Sequence, residues 1–151
     1  MSLDSVRAWF TEHAPDIEVL VTQTSSATVA EAAATHNVAP AQIAKTICVR
    51  AGEKILLIVT SGASRLDNKK FKNVFGVRPR MLGAEEVLAL TGHPVGGVCP
   101  FGLATMLPVY CDTSLKQFDF VVPAAGAGNA AVKIPTARMA VLTKAAWVEV
   151  C

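Results

Sequence analysis

Few residues of this chain have the types and spacing that chemistry needs. Lys45-Thr46 heads a strand-like stretch, and the lysine ammonium could reach into a cleft to hold a phosphate or carbonyl oxygen. A lysine at a strand start is more often a solvated edge residue, and position alone favours that reading. The run Gly96-Gly97-Val98-Cys99-Pro100-Phe101-Gly102 is a second place. Its glycines let backbone approach a ligand, its proline stiffens the loop, and its N–H groups could donate to an oxyanion without any side chain. As a bare pattern it is equally an ordinary glycine-rich turn, and neither a dinucleotide fingerprint nor a P-loop occurs. The third place, Ala125-Gly126-Ala127-Gly128-Asn129, reads as a hairpin loop or as a wall of small residues beside a small ligand.

Other reactive arrangements fare worse. Cys99 and His93 stand six residues apart on a proline–glycine segment, with no enforced geometry and no acid to orient the imidazole. Cys99 therefore reads as a loop residue packed against the site, and Cys48, Cys111 and Cys151 as structural. A Cys99-dependent hydrolase stays open as a separate mechanism. No Gly-x-Ser-x-Gly elbow occurs. No C-x-x-C pair occurs, and histidines only at 13, 36 and 93 show no metal-ligand spacing.

The elements that must carry these residues follow from caps and periodicity. Ser2 or Asp4 caps a helix to about His13, with Val6, Trp9 and Phe10 on one face. Asp16–Gln23 reads as a strand. Thr28 and Glu31 have capping-box spacing for a helix ending near Asn37. Ala41–Ala44 reads as helical. Lys45–Arg50 and Lys54–Thr60 flank Ala51-Gly52-Glu53 as a hairpin, its second strand apolar enough for burial on both faces. Asp67 caps a helix through Phe75, closed by Gly76, with Phe71, Val74 and Phe75 inward. Gly83–Thr91 is a short helix closed by Gly92. Phe118–Val122 and Ala131–Ile134 read as strands around the glycine turn. Pro135 starts a helix to about Leu142, and Trp147–Val150 is a last strand. Hairpins together with interposed helices predict a single α/β domain, residues 1–151, with a mixed sheet.

Composition bounds the partners. The 151 residues are 52% hydrophobic and 17% charged, ample for a core. The uncharged stretch Val87–Cys111 contains Pro94, Pro100 and Pro108 with four glycines, so it cannot run as one membrane-spanning helix. With Asp4 and Arg7 among the first ten residues, no export signal is visible. The expectation is a cytoplasmic protein without metal, cofactor or membrane partner. The net charge of +2 hides an asymmetry, because Arg65, Lys69, Lys70, Lys72, Arg78 and Arg80 face only Asp67 within residues 65–80. Lys69, Lys70 and Lys72 read as a solvated helix face.

Lys45-Thr46, Ser61-Gly62, Leu66-Asp67 and the run from Thr91-Gly92-His93-Pro94-Val95 through Gly96–Gly102 resemble the YbaK/ProX family of free-standing aminoacyl-tRNA deacylases, relatives of the editing insertion of bacterial prolyl-tRNA synthetase. The resemblance covers nearly the whole chain. It implies a curved, largely antiparallel mixed sheet surrounded by helices. It also implies hydrolysis of the ester joining a small, wrong amino acid to the 3′ adenosine of tRNA, with tRNA(Pro) and prolyl-tRNA synthetase as the expected partners. Lys45 would be the family's lysine. Backbone N–H groups near Gly97, Cys99 and Phe101 would face the developing charge. Thr46, Ser61, Gly96, Val98, Pro100, Gly102, Gly126 and Asn129 would surround the substrate, and Lys69, Lys70 and Lys72 would meet tRNA. The cysteinyl-tRNA branch resembles a Gly-Gly-Arg-Arg-Gly sequence where Ala124–Asn129 has no arginine, which favours alanine or another small aliphatic or hydroxylated amino acid. A catalytically idle relative that binds a nucleotide or RNA end is the alternative.

Overall fold

The computed structural model describes residues 2–151. Its centre is a hairpin of β2 (Ile43–Ala51) and β3 (Lys54–Ser61), in register from Ala44 opposite Ser61 to Ala51 opposite Lys54. Gly52 makes the two-residue turn feasible by adopting φ +64°. Leu57, Ile58 and Val59 are fully buried, because β3 has covered faces on both sides. One face packs Cys48, Leu57 and Val59 against α1 (Ser2–His13) and the later strands. The other packs Val49, Leu56 and Ile58 against Phe71 of α3 (Asn68–Phe75).

The rest of the sheet grows from this hairpin. β5 (Val109–Asp112) joins β3 in parallel, and β9 (Ala146–Val148) joins β5 in parallel. On the far edge of β2, β6 (Phe120–Pro123) pairs in parallel with Ile43 and Ala44, while β4 (Arg80–Met81) pairs antiparallel with Val49 and Arg50. β8 (Ile134–Pro135) extends β6, and β1 (Leu20–Val21) pairs with β7 (Ala130–Ala131) as a separate two-stranded ribbon. Helices α2 (Val29–His36), α4 (Ala84–Thr91) and α5 (Thr136–Leu142) complete the domain. The result is the expected α/β architecture with a mixed sheet.

The caps stand where local chemistry requires them. Glu31 N–H donates to Thr28 Oγ1 at 3.1 Å, and Lys70 N–H donates to Asp67 Oδ1 at 2.9 Å. Other elements differ from the sequence reading. Ala41–Ala44 is not helical: a 3-10 turn spans Pro40–Gln42, and Ile43 and Ala44 are drawn into β2 by pairing with Val122 and Pro123. Asp16–Gln23 shrinks to Leu20–Val21, since only two residues find a partner. Phe118 closes a second 3-10 turn, Thr113–Gln117, so that strand begins at Phe120. Ala131–Ile134 is split between β7 and β8, which pair with different strands. Phe71 and Phe75 pack inward as expected, but Val74 is exposed, because α3 lays only the other two on the sheet. The short β4 and the buried β5 carried no turn-bounded alternation that would have announced them.

The glycine run is a packing device. Gly126 N–H donates to Gly97 O at 2.9 Å, and a methyl on Gly97 would lie 2.5 Å from Ala127 N. Gly102, at φ +58°, lies so close to α1 that a methyl would meet Ser5 O at 2.7 Å. The run thus brings two loops and a helix within backbone contact. Gly97→Ala should destabilise the fold by about 2–3 kcal/mol or more through overpacking, read as a lower urea midpoint at unchanged slope.

Candidate active site

Two strands share one edge of β2 and leave a gap between them. β6 takes Ile43 and Ala44, β4 takes Val49 and Arg50, and Lys45–Cys48 has no strand partner on that side. A cleft of about 370 Å³ opens over this gap. Its walls are small and apolar: Ala32 from α2, Val87 from α4, Val98 from the glycine loop, Val122 from β6 and Ala131 from β7. Thr28, Lys45 and Thr46 border it, and among the described residues none that lines it is acidic.

Of the predicted residues, the fold brings Lys45, Thr46, Gly96 and Val98 together around the cleft. Lys45 Nζ donates to Ser64 O at 3.0 Å, which leaves two of its three N–H groups for a ligand. Thr46 Oγ1 is buried with no hydrogen-bond partner among the described residues. Gly96, at φ +86°, passes so near the segment leading into α2 that a methyl would sit 2.8 Å from Ala27 Cβ.

The other predicted residues are placed elsewhere. Gly97 spends its N–H on Pro94 O at 2.9 Å, closing a turn rather than facing the cleft. Cys99, Pro100 and Phe101 are buried, and Phe101 packs its ring at a tilt against Phe10 and Trp9 of α1. Gly102 is consumed by its approach to Ser5, and Gly126 by its approach to Ser2. Ser61 is fully buried and donates to Ala41 O at 2.6 Å, so it clamps the turn that precedes β2. Asn129 Nδ2 donates to Thr22 O at 3.0 Å, bracing the β1–β7 ribbon. The wall expected from the Ala125–Asn129 loop is supplied instead by its flanks, Ala124 and Ala131.

Lys69, Lys70 and Lys72 are exposed on α3, across the sheet from the Thr46 and Cys48 side chains, and Lys70 Nζ donates to Cys151 O at 2.7 Å. The end of the basic segment comes nearer. Exposed Arg80 precedes Met81, which lines the cleft. Arg80 pairs opposite Arg50, whose guanidinium is held by Glu86 at 2.8 Å. The sequence reading missed the contribution of α2 and α4. Small residues at helical spacing, Thr28 and Ala32, were the available signal, but only the fold turned them toward the gap.

The pairing of Cys99 with His93 needs correction. The fold does enforce proximity, with Cys99 Sγ 3.5 Å from His93 Nε2. The proton is in the wrong place for a nucleophile, however. His93 Nε2–H donates to Phe101 O at 2.7 Å, and Nδ1 accepts from Ser2 Oγ, so the imidazole has no lone pair for the thiol. Burial also pushes the thiol up to about 12. The cluster is a pin between α1 and the glycine loop.

These features define a class: a curved α/β sheet with a small apolar cleft, a lysine at its rim and a close-packed glycine loop. Residues 23–141 match the family model of the aminoacyl-tRNA editing domain, and the chain belongs to that YbaK-like family. The chain is 44% identical over its whole length to the protein YwhH of Bacillus subtilis (strain 168), covering 98% of it. It is 38% identical over 105 residues to a proline–tRNA ligase of Solidesulfovibrio magneticus, 68% of this chain but 18% of the ligase. A crystal structure described as a candidate trans-editing enzyme for prolyl-tRNA synthetase superposes with a TM-score of 0.91 at 29% identity, over 99% of this chain and 96% of that one. The structure of the protein APE2540 gives 0.88 at 31% identity, over 97% of this chain and 98% of that one.

Burial holds His93 below its ordinary value of 6.5, and His36 likewise. Below about pH 6.5 the unfolded chain therefore takes up protons that the folded chain refuses, and stability falls with pH. Thermal melts should show full stability above neutrality and a declining midpoint toward pH 5.5. The slope should flatten in His93→Gln, after allowing for that variant's lower starting point.

Proposed function

We propose that this protein hydrolyses the ester between a small, wrongly attached amino acid and the 3′ adenosine of a tRNA, with tRNA(Pro) the favoured carrier. The observation that carries this reading is the cleft. Its walls of alanine, valine and isoleucine suit a small aliphatic or hydroxylated side chain, and among the described residues the cation lining it is Lys45, at a rim where a phosphate or ester oxygen would arrive. Similarity to a segment of a proline–tRNA ligase and to a candidate trans-editing structure supports the link to prolyl-tRNA synthetase.

The chemistry asks little of side chains. An aminoacyl ester is already activated, so orientation and stabilisation of a tetrahedral oxyanion supply the catalysis. Water adds to the ester carbonyl, the bond to the ribose oxygen breaks, and the neighbouring ribose hydroxyl carries the proton to the departing oxygen. Lys45 holds the terminal nucleotide or the acyl oxygen. Gly96 and Val98 border the cleft, and in this reading they lie beside the reacting carbon. The buried thiol of Cys99 takes no part.

The deciding assay follows the release of alanine, serine, 2-aminobutyrate, cysteine and proline from charged tRNA. Small aliphatic or hydroxylated esters should be hydrolysed and prolyl-tRNA spared. Lys45→Ala should lower kcat/KM by about 100-fold or more, on the scale of losing an oxyanion or phosphate contact. Cys99→Ser should retain activity at a similar pH profile. Hydrolysis of none of these esters would leave the protein a binding relative of the family.

The basic segment gives a second expectation. Arg78→Ala/Arg80→Ala should raise KM for charged tRNA and flatten its dependence on salt more than Lys69→Ala/Lys70→Ala/Lys72→Ala does. Equal effects from the two sets would show that distance from the cleft does not govern the contact.

A further inference from the structure

The cleft holds one polar side-chain atom that the protein itself leaves unanswered. Among the described residues, Thr46 Oγ1 is buried without a partner. The hydroxyls of its neighbours are engaged: Thr28 Oγ1 caps α2, and Ser26 Oγ reaches Gly128 O at 3.4 Å. A buried hydroxyl with nothing to bind carries a desolvation cost that folding does not offset. The backbone beside it is in the same position. Gly62 N–H donates to Ile43 O, so the odd-numbered residues of β2 exchange hydrogen bonds with β3 and the even-numbered ones point theirs outward. At Ala44 and Arg50 that outward edge meets β6 and β4; at Thr46 it meets the gap. Thr46 therefore presents a hydroxyl, a carbonyl and an N–H together to a cleft whose lining has no carboxylate.

We infer that Thr46 receives the α-ammonium of the aminoacyl group. The group is the one strong hydrogen-bond donor that every aminoacyl ester carries whatever its side chain, and it needs acceptors. Thr46 Oγ1, which is buried, and the main-chain oxygen that the same residue turns to the open β2 edge are two. With the ammonium fixed there, the side chain turns to the apolar wall of Ala32, Val122 and Ala131, and the ester carbonyl turns toward the rim where Lys45 stands. Thr46 is thus a residue that binds and orients substrate. This inference rests on the ester-hydrolase reading above and adds to it the point at which the acyl group is anchored.

The orphaned hydroxyl makes the test separable from folding. Thr46→Val keeps the shape and removes only the unpaired oxygen, so its thermal midpoint should equal or exceed that of the native protein. Its kcat/KM on alanyl-tRNA should fall about 10- to 100-fold, the scale of a hydrogen bond to a charged group, and Thr46→Ser should restore most of it. The second arm uses lactyl-tRNA, made by nitrous acid deamination of alanyl-tRNA, in which a hydroxyl replaces the ammonium. The native enzyme should prefer alanyl- to lactyl-tRNA by a ratio that shrinks severalfold in Thr46→Val. An unchanged ratio, or unchanged kcat/KM in Thr46→Val while the native protein is active, would overturn the inference and leave the hydrolase reading standing. Inactivity of the native protein on every aminoacyl ester would overturn both.

Discussion

The shared edge of β2 is the constraint on which the rest of this structure depends. A strand buried beside β3 on one edge must satisfy its other edge, and here two strands of two and four residues divide that duty without meeting. The unfilled interval at Lys45–Cys48 cannot be left to bulk solvent without exposing the core beneath it. Helices α2 and α4 and the glycine loop converge over it, and because their facing residues are small, they enclose a space instead of filling it.

The loop is held over that space by contacts that exclude side chains. Gly97 against Ala127, Gly102 against Ser5 and Gly126 against Ser2 are approaches that one methyl group would prevent. His93 ties the same loop to the first turn of α1 through Ser2 and Phe101, and Phe101 then buries its ring beside Phe10. A motif rich in glycine and proline, with a cysteine and a histidine, therefore shapes the cleft at one remove. It sets the cleft wall with Gly96 and Val98 while its reactive-looking side chains are spent on packing.

Much of the fold was legible in the sequence wherever the cause was local. Thr28, Asp67, Gly76 and Gly92 cap helices through bonds within a few residues, and the Gly52 turn sets the register of a long hairpin. Elements whose existence depends on a distant partner were misjudged. Ile43 and Ala44 looked helical until β6 paired with them, Asp16–Gln23 kept only the two residues that β7 accepts, and β4 exists because Arg80 and Met81 lie beside Val49 and Arg50. The site divided along the same line. Lys45, Thr46, Gly96 and Val98 reach the cleft, whereas Ser61, Asn129, Cys99 and Phe101 were drawn into structural bonds whose partners lie 2 to 107 residues away.

By itself the sequence determined the family, the caps and the central hairpin, since each follows from residue type within a short span; the close packing of the glycines was set by contacts with distant segments. The tertiary structure decided which polar atoms remain unspent. Lys45 keeps two donors, the outward edge of Thr46 meets a gap, and the His93 imidazole has both nitrogens committed. Hydrogen-bond satisfaction is a property of the whole fold, because a donor or acceptor is free for a ligand only after every neighbour brought to it has been counted.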